Sequence, residues 1–121
     1  MRHMTHDPRI SLRLHFTSGL TFGPGKANLL QFIDEDGSIS AAGRRMGMSY
    51  RRAWSLVEEM NTHYETPLVD SSRGGAKGGG AVLTLKGRAV LAEYRALEEL
   101  LRTQGSDELA RLSDGQRSVS T

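Results

Sequence analysis

Hydrophobic and polar positions alternate with a period of two near the start of the chain, and with a helical period over most of the remainder. Apolar residues occupy every second position from Ile10 to Phe16, which predicts a strand with one buried face. Residues 17–25 contain three glycines and a proline, so this segment is predicted to be a loop. The apolar positions of Lys26–Glu35 then predict a helix with a broad buried face.

Two short helices joined by a tight turn are predicted in the middle of the chain. Ser40 is the expected N-cap of the first, Ala41–Met46, and Gly47 is expected to end it in the left-handed conformation. Ser49 is the expected N-cap of the second, Tyr50–Tyr64. This order is typical of a helix-turn-helix, whose second helix faces base edges in the major groove. The apolar stripe of that helix consists of Ala53, Val57, Met60 and Tyr64, with Leu56 beside it.

A β-hairpin with a glycine-rich, basic tip is predicted next. Strands over Leu68–Asp70 and Ala81–Leu85 flank Ser71–Gly80, which holds five glycines and two cations. A phosphate-binding loop is not favoured, because Lys77 is followed by Gly78 instead of Ser or Thr. A plain flexible linker remains an alternative. A hairpin directly after a helix-turn-helix is a wing, whose glycines and cations suit contacts with phosphates.

The last predicted helix, Lys86–Arg102, carries a heptad-like apolar seam. Such a seam either packs on the domain's own core or pairs with the same helix of a second copy. We predict the pairing, because helix-turn-helix proteins usually read two half-sites. The domain is thus expected over residues 10–102, between a flexible N-terminus (1–9) and a disordered tail (103–121), in which one weak helical turn is allowed. The predicted dimerisation residues are Val90, Tyr94, Leu97 and Leu101.

Composition narrows the possible functions. The 121 residues suffice for one domain, and the net charge is only +2. Residues 37–88 hold eight Lys or Arg against four acids, so this segment carries +4 and the remainder −2. The sequence has no cysteine and no apolar run long enough to span a bilayer, and it pairs no nucleophile with a base. We therefore expect a cytoplasmic, nucleoid-associated protein that is not an enzyme, with no metal site and no membrane partner.

Arginine pairs are the main candidates for contacts with DNA. Arg51 and Arg52 begin the predicted second helix, where a guanidinium can reach guanine or phosphate, although most such pairs only form a solvated face. Arg44 and Arg45 end the preceding helix, where the helix dipole alone also favours cations. Trp54 is assigned to the core, as large aromatic residues usually are. The full candidate DNA-binding set is Arg44, Arg45, Ser49, Tyr50, Arg51, Arg52, Arg73, Gly74, Gly75, Lys77, Gly78 and Gly79.

Two runs, GSISAAGRRMGMSYRRAW and VDSSRGGAKGGGAVLTLKG, resemble the N-terminal winged-helix domain of the ModE molybdate-responsive regulators, which is itself similar to the LysR-type DNA-binding domain. The resemblance covers about residues 10–102. It implies an α+β, mainly α fold: a winged helix-turn-helix with an N-terminal strand, a β-hairpin wing and a long C-terminal dimerisation helix. It also implies a homodimeric transcriptional regulator on a palindromic operator of molybdenum-related genes, contacting double-stranded DNA through Ser49–Arg52 and Arg73–Gly79.

The sequence departs from that family at its C-terminal end. Full-length members carry modules that hold molybdate, and this chain ends soon after the predicted dimer helix. We therefore expect no cofactor here, molybdate included. Either a separate partner senses the effector, or regulation does not use molybdate, or the chain represents a single-domain branch. The alternative function is a winged-helix protein-interaction module that does not read DNA.

Overall fold

A computed structural model describes residues 8–71 and 80–117 of the chain. Within these ranges the fold is mainly helical, with two antiparallel strand pairs, β1–β2 and β3–β4. A helix-turn-helix followed by a β-hairpin confirms the predicted winged-helix class. The elements are β1 (Leu14–His15), β2 (Thr21–Phe22), α1 (Pro24–Asp36), α2 (Ile39–Arg45), α3 (Tyr50–His63), β3 (Val69–Ser71), β4 (Ala81–Leu83), α4 (Leu85–Gln104) and α5 (Ser106–Ser113).

The N-terminal strand differs from the prediction. Of the strand predicted from Ile10 to Phe16, only the two residues of β1 form a strand. Their partner strand β2 lies inside the segment predicted to be a loop. The chain reverses at Gly19, whose N–H donates to the Phe16 carbonyl at 3.0 Å and whose φ is +99°. Beyond this turn Leu20 and Phe22 are buried, each about 1 per cent exposed. Two apolar residues are too few to show alternation, so the sequence pattern did not reveal the returning strand.

Helix α1 supplies the centre of the core. It begins with Pro24, whose fixed φ suits the first helical turn, and it ends at Gly37, which takes a left-handed φ of +71°. Its inner face packs against α2, β4, α4 and β2. The buried residues of α1 belong to the same core cluster as those of α3. This arrangement confirms the predicted burial of a broad α1 face. The fully buried residues of α1 are Ala27, Leu29, Leu30 and Ile33.

Helix α4 packs its first half on the same core. Tyr94 is 3 per cent exposed, meets Phe22 edge to face at 5.2 Å, and donates its hydroxyl to the Leu12 carbonyl at 2.6 Å. This burial raises the pKa of Tyr94. The placement of Tyr94 on a dimer seam is therefore wrong, because this ring fills the core of its own chain. Val90 also packs against that core, whereas Leu101 is 40 per cent exposed.

The segment predicted as a disordered tail contains α5. Helix α4 continues to Gln104, and the Gly105 N–H donates to the Leu101 carbonyl at 2.9 Å before the chain turns into α5. Asp107 and Glu108 lie in the first turn of α5, where acidic side chains favour the helix dipole. None of the helices in residues 8–71 and 80–117 is long and apolar enough to cross a membrane.

Candidate nucleic-acid interface

The turn between α2 and α3 is held by two glycines. Gly47 has a φ of +71°, the left-handed conformation predicted for it. At Gly43 a Cβ atom would lie only 3.0 Å from the Cβ of Ala53, so the two helices cross in close contact there. The Met48 N–H donates to the Gly43 carbonyl at 3.0 Å. Together these contacts fix the angle at which α3 leaves the turn.

Two serines cap these helices. Ser49 accepts a hydrogen bond from the Arg52 N–H at 3.1 Å, which confirms it as the N-cap of α3. Its predicted DNA contact stays a prediction. The N-cap of α2 is Ser38 instead of Ser40, because the Ser38 hydroxyl accepts from the Ala41 N–H at 3.0 Å. The helix therefore starts two residues earlier than the sequence suggested.

The outer side of α3 carries a continuous polar stripe. Ala53, Val57 and Met60 face the core, as predicted. On the opposite side lie Arg51, Ser55, Glu58 and Thr62, which follow four-three-four spacing and are all exposed. Because the residues that begin α3 are open to solvent, this end of the helix is free to meet a ligand. Five of its residues line a groove of about 640 Å³, here called the outer groove: Tyr50, Arg51, Trp54, Ser55 and Glu58.

Trp54 lies in the outer groove, so its assignment to the core is wrong. Trp54 is 43 per cent exposed, and Tyr50, one turn earlier, is 56 per cent exposed. The sequence did contain the signal for this position. Trp54 directly follows Ala53, and adjacent helical residues do not share a face, so it falls off the buried stripe.

The arginines of this region divide into two groups. Arg51 and Arg52 are exposed, and no carboxylate in residues 8–71 and 80–117 forms a salt bridge with either of them. Arg45 is instead held within the chain. Its Nε lies 3.1 Å from Asp36 Oδ2, a second nitrogen pairs with Glu35, and its guanidinium lies 4.0 Å from the centre of the Phe32 ring.

These internal pairs change the charge of the domain surface. Hydrogen bonds from Gln31 and Arg45 lower the pKa of Glu35, so this carboxylate stays ionised beside its partner. Asp34 forms a salt bridge of 2.9 Å with Arg88. The three consecutive acids at the end of α1 thus form salt bridges with two cations of residues 37–88, namely Arg45 and Arg88. The remaining cations of the helix-turn-helix are Arg51, Arg52 and Arg44, the last of which donates to Ser40 Oγ at 2.9 Å.

The base of the wing is tied to both neighbouring helices. Asn61 of α3 accepts the Leu68 and Val69 N–H groups at 2.8 and 3.1 Å and donates to the Val69 carbonyl at 3.1 Å. Thr84, before α4, donates its hydroxyl to the Pro67 carbonyl at 2.7 Å. The wing tip lies outside the described residues, and with it the predicted contacts Arg73, Gly74, Gly75, Lys77, Gly78 and Gly79.

Comparisons with known proteins identify relatives. No protein-family model matches the chain. The chain is 44% identical over 81 residues to the molybdenum-pterin-binding protein MopB of Rhodobacter capsulatus, covering 67% of this chain and 30% of MopB. It is 38% identical over 91 residues to the DNA-binding transcriptional dual regulator ModE of Escherichia coli, covering 75% of this chain and 35% of ModE.

A third relative is the molybdenum transport protein ModE of Azotobacter vinelandii, 40% identical over 80 residues, which cover 66% of this chain and 30% of that protein. The chain thus spans about a third of the length of the curated relatives it matches. The printed names of these relatives describe a binding protein, a DNA-binding transcriptional regulator and a molybdenum transport protein.

Proposed function

Because this chain is homologous to the ModE and MopB proteins and folds as a ModE-type winged helix, we propose that it is a transcriptional regulator that binds double-stranded DNA sequence-specifically. The observation that carries the proposal is the outer groove of α3. An α-helix fits the major groove of B-DNA, and its first residues contact base edges. The exposed face of α3 includes the first residues of the helix, which directly follow the turn from α2.

Arg51 is the residue with the best position to read a base. It lies on the outward stripe of α3 and lines the outer groove, whereas Arg52 lies beside that stripe. A guanidinium donates two parallel hydrogen bonds to guanine O6 and N7, a pairing that a solvated lysine makes less well. We assign Arg51 to base reading, and Arg52 and Arg44 to phosphates. Such phosphate contacts position the protein without reading sequence.

A homodimer on a palindromic operator is part of the proposal. Two copies would place two α3 helices in successive major grooves. Leu97 and Leu101 remain the predicted dimer contacts of α4, since Tyr94 and Val90 pack within one chain. We further propose action in the cytoplasm on molybdenum-related genes.

We propose no molybdate site in the described part of the chain. An enclosed oxyanion site needs buried hydrogen-bond donors from side chains or backbone, and no polar or charged side chain in residues 8–71 and 80–117 is buried. The proposal therefore derives no step through molybdate.

Arg51→Ala tests the proposed role of the outer groove. Duplexes are first selected from a random pool with the unmodified chain, and binding is then measured against unselected duplex of equal length. We expect Arg51→Ala to reduce the preference for selected duplex by about 1–3 kcal/mol, or roughly 5- to 150-fold, because a bidentate base contact is lost. Binding of the unmodified chain should also weaken steeply with added salt, as counterions are released from phosphates.

Arg102→Ala is the matched control, since it removes the same charge from the exposed end of α4, where Arg102 pairs with Glu99. It should leave the preference unchanged. A chain that binds selected and random duplexes equally at low salt would instead be the protein-interaction module. If Arg51→Ala keeps the full preference of the unmodified chain, the assignment of Arg51 to base reading is wrong. If Arg52→Ala keeps it as well, the assignment of α3 as the recognition helix fails.

A further inference from the structure

We propose that Tyr50 and Trp54 form an apolar platform in the outer groove that recognises the C5-methyl groups of thymine. This inference rests on the proposed DNA-binding function and names the bases that the same groove prefers. Thymine is the one base of ordinary DNA that presents an apolar group in the major groove, its methyl at C5. The platform therefore has one chemical counterpart on the base edges.

The exposure of the two rings is the first step of the argument. Trp54 is 43 per cent and Tyr50 is 56 per cent exposed, although large aromatic side chains gain most when removed from water. The core of α3 is complete without them, because Ala53, Val57 and Met60 already fill its inner face. Two exposed aromatic rings on one groove are typical of a surface that becomes buried on binding.

The neighbours of the rings identify the partner as DNA. The same groove contains Arg51, whose charge has no carboxylate salt-bridge partner in the described part of the chain. Such a cation beside apolar rings complements an edge where thymine methyl groups lie next to guanine acceptors, in a duplex of high negative charge. Ser55, one position after Trp54, adds a short polar group to the same groove.

The spacing of the rings fits the spacing of bases. Side chains four residues apart on a helix lie roughly 5–6 Å from each other at Cβ. Successive base pairs are separated by about 3.4 Å along each strand. The two rings therefore span about two base steps, so we expect one or two thymine positions per half-site to contact them.

Deoxyuridine, which is thymidine without the methyl group, tests this inference. In the selected duplex, each thymine is replaced in turn by deoxyuridine, which keeps every hydrogen-bonding group. At one or two positions per half-site we expect the unmodified chain to bind about fourfold more weakly, the effect of leaving one methyl group unburied. Trp54→Ala should bind the thymine duplex more weakly and show no deoxyuridine effect at the positions that Trp54 covers.

Trp54→Phe keeps an apolar ring and is the matched variant. It should retain sensitivity to deoxyuridine, and thermal unfolding should show that both variants fold. If deoxyuridine has no effect at any position while Trp54→Ala weakens all duplexes equally, the indole N–H binds phosphate and the platform is wrong. If the chain prefers its selected duplex but deoxyuridine has no effect at any position, only the platform is refuted. A chain with no preference at all refutes the proposed function together with it.

Discussion

Gly87→Ala is expected to destabilise the fold by about 2–4 kcal/mol. Gly87 is buried in the first turn of α4, and a Cβ there would lie 2.1 Å from the carbonyl oxygen of Leu68. That oxygen already accepts the Thr84 N–H at 2.9 Å, so it cannot move freely. To make room, the strand that leads into the wing must separate from α4.

Thermal unfolding measures this effect. A loss of that size should lower Tm by roughly 10 °C for a domain of this length. Gly25→Ala is the control, since Gly25 also lies in the first turn of a helix and no heavy atom lies within 4 Å of its added Cβ. It should be neutral or stabilising by up to about 1 kcal/mol. Equal Tm values for the two variants would contradict the close contact between α4 and Leu68.

Asn61→Leu is expected to have an effect of similar or larger size, a loss of about 2–6 kcal/mol. The Asn61 carboxamide pairs with both the N–H and the carbonyl of Val69, as the backbone of a third strand would, and also accepts the Leu68 N–H. Leu68 and Val69 are buried, so a leucine at position 61 leaves two N–H groups without a partner. Each such group costs about 1–3 kcal/mol.

Urea unfolding followed by circular dichroism checks this prediction, with Gln104→Leu as the control. Gln104 is an exposed amide at the end of α4, and its side chain makes no hydrogen bond within residues 8–71 and 80–117. Removing it should change the free energy of unfolding by less than about 0.5 kcal/mol. An Asn61→Leu variant as stable as the control would show that water or the relaxed chain replaces the amide.

The helices of the domain were predictable because their signals are local. The apolar stripe of α3 recurs with the helical period, and Ser49 and Gly47 have the chemistry that a cap and a left-handed turn require. These features depend on residues within one or two turns of each other. The sequence therefore located the helix-turn-helix and the strands of the wing to within a few residues.

Contacts between distant parts of the chain were not predictable in the same way. The Tyr94 hydroxyl reaches Leu12, 82 positions away, so the seam pattern of α4 could not distinguish a core contact from a dimer contact. Arg45 meets Asp36, nine positions away across the α1–α2 turn. No periodicity connects such pairs. Their partners appear only when the helices are packed.

In the candidate site, too, the features that depend on local sequence were predictable and the others were not. The sequence located Arg51 and Tyr50 at the start of α3, and the structure shows both on the outer groove. The core assignment of Trp54 is wrong because exposure on α3 follows the position on the helix, off the stripe of Ala53, Val57 and Met60, and not the residue type. The tip contacts Arg73–Gly79 stay predictions, since they lie outside the described residues.

Crosslinking from α3 to DNA tests the central claim most directly. The sequence has no cysteine, so Ser55→Cys provides a single thiol in the outer groove for a photo-activated crosslinker. Ala96→Cys places the same probe on the exposed side of α4. We predict that the probe at position 55 crosslinks to base atoms of the selected duplex and the probe at position 96 does not. Crosslinks from position 96 alone would contradict the claim that the outer groove of α3 reads DNA.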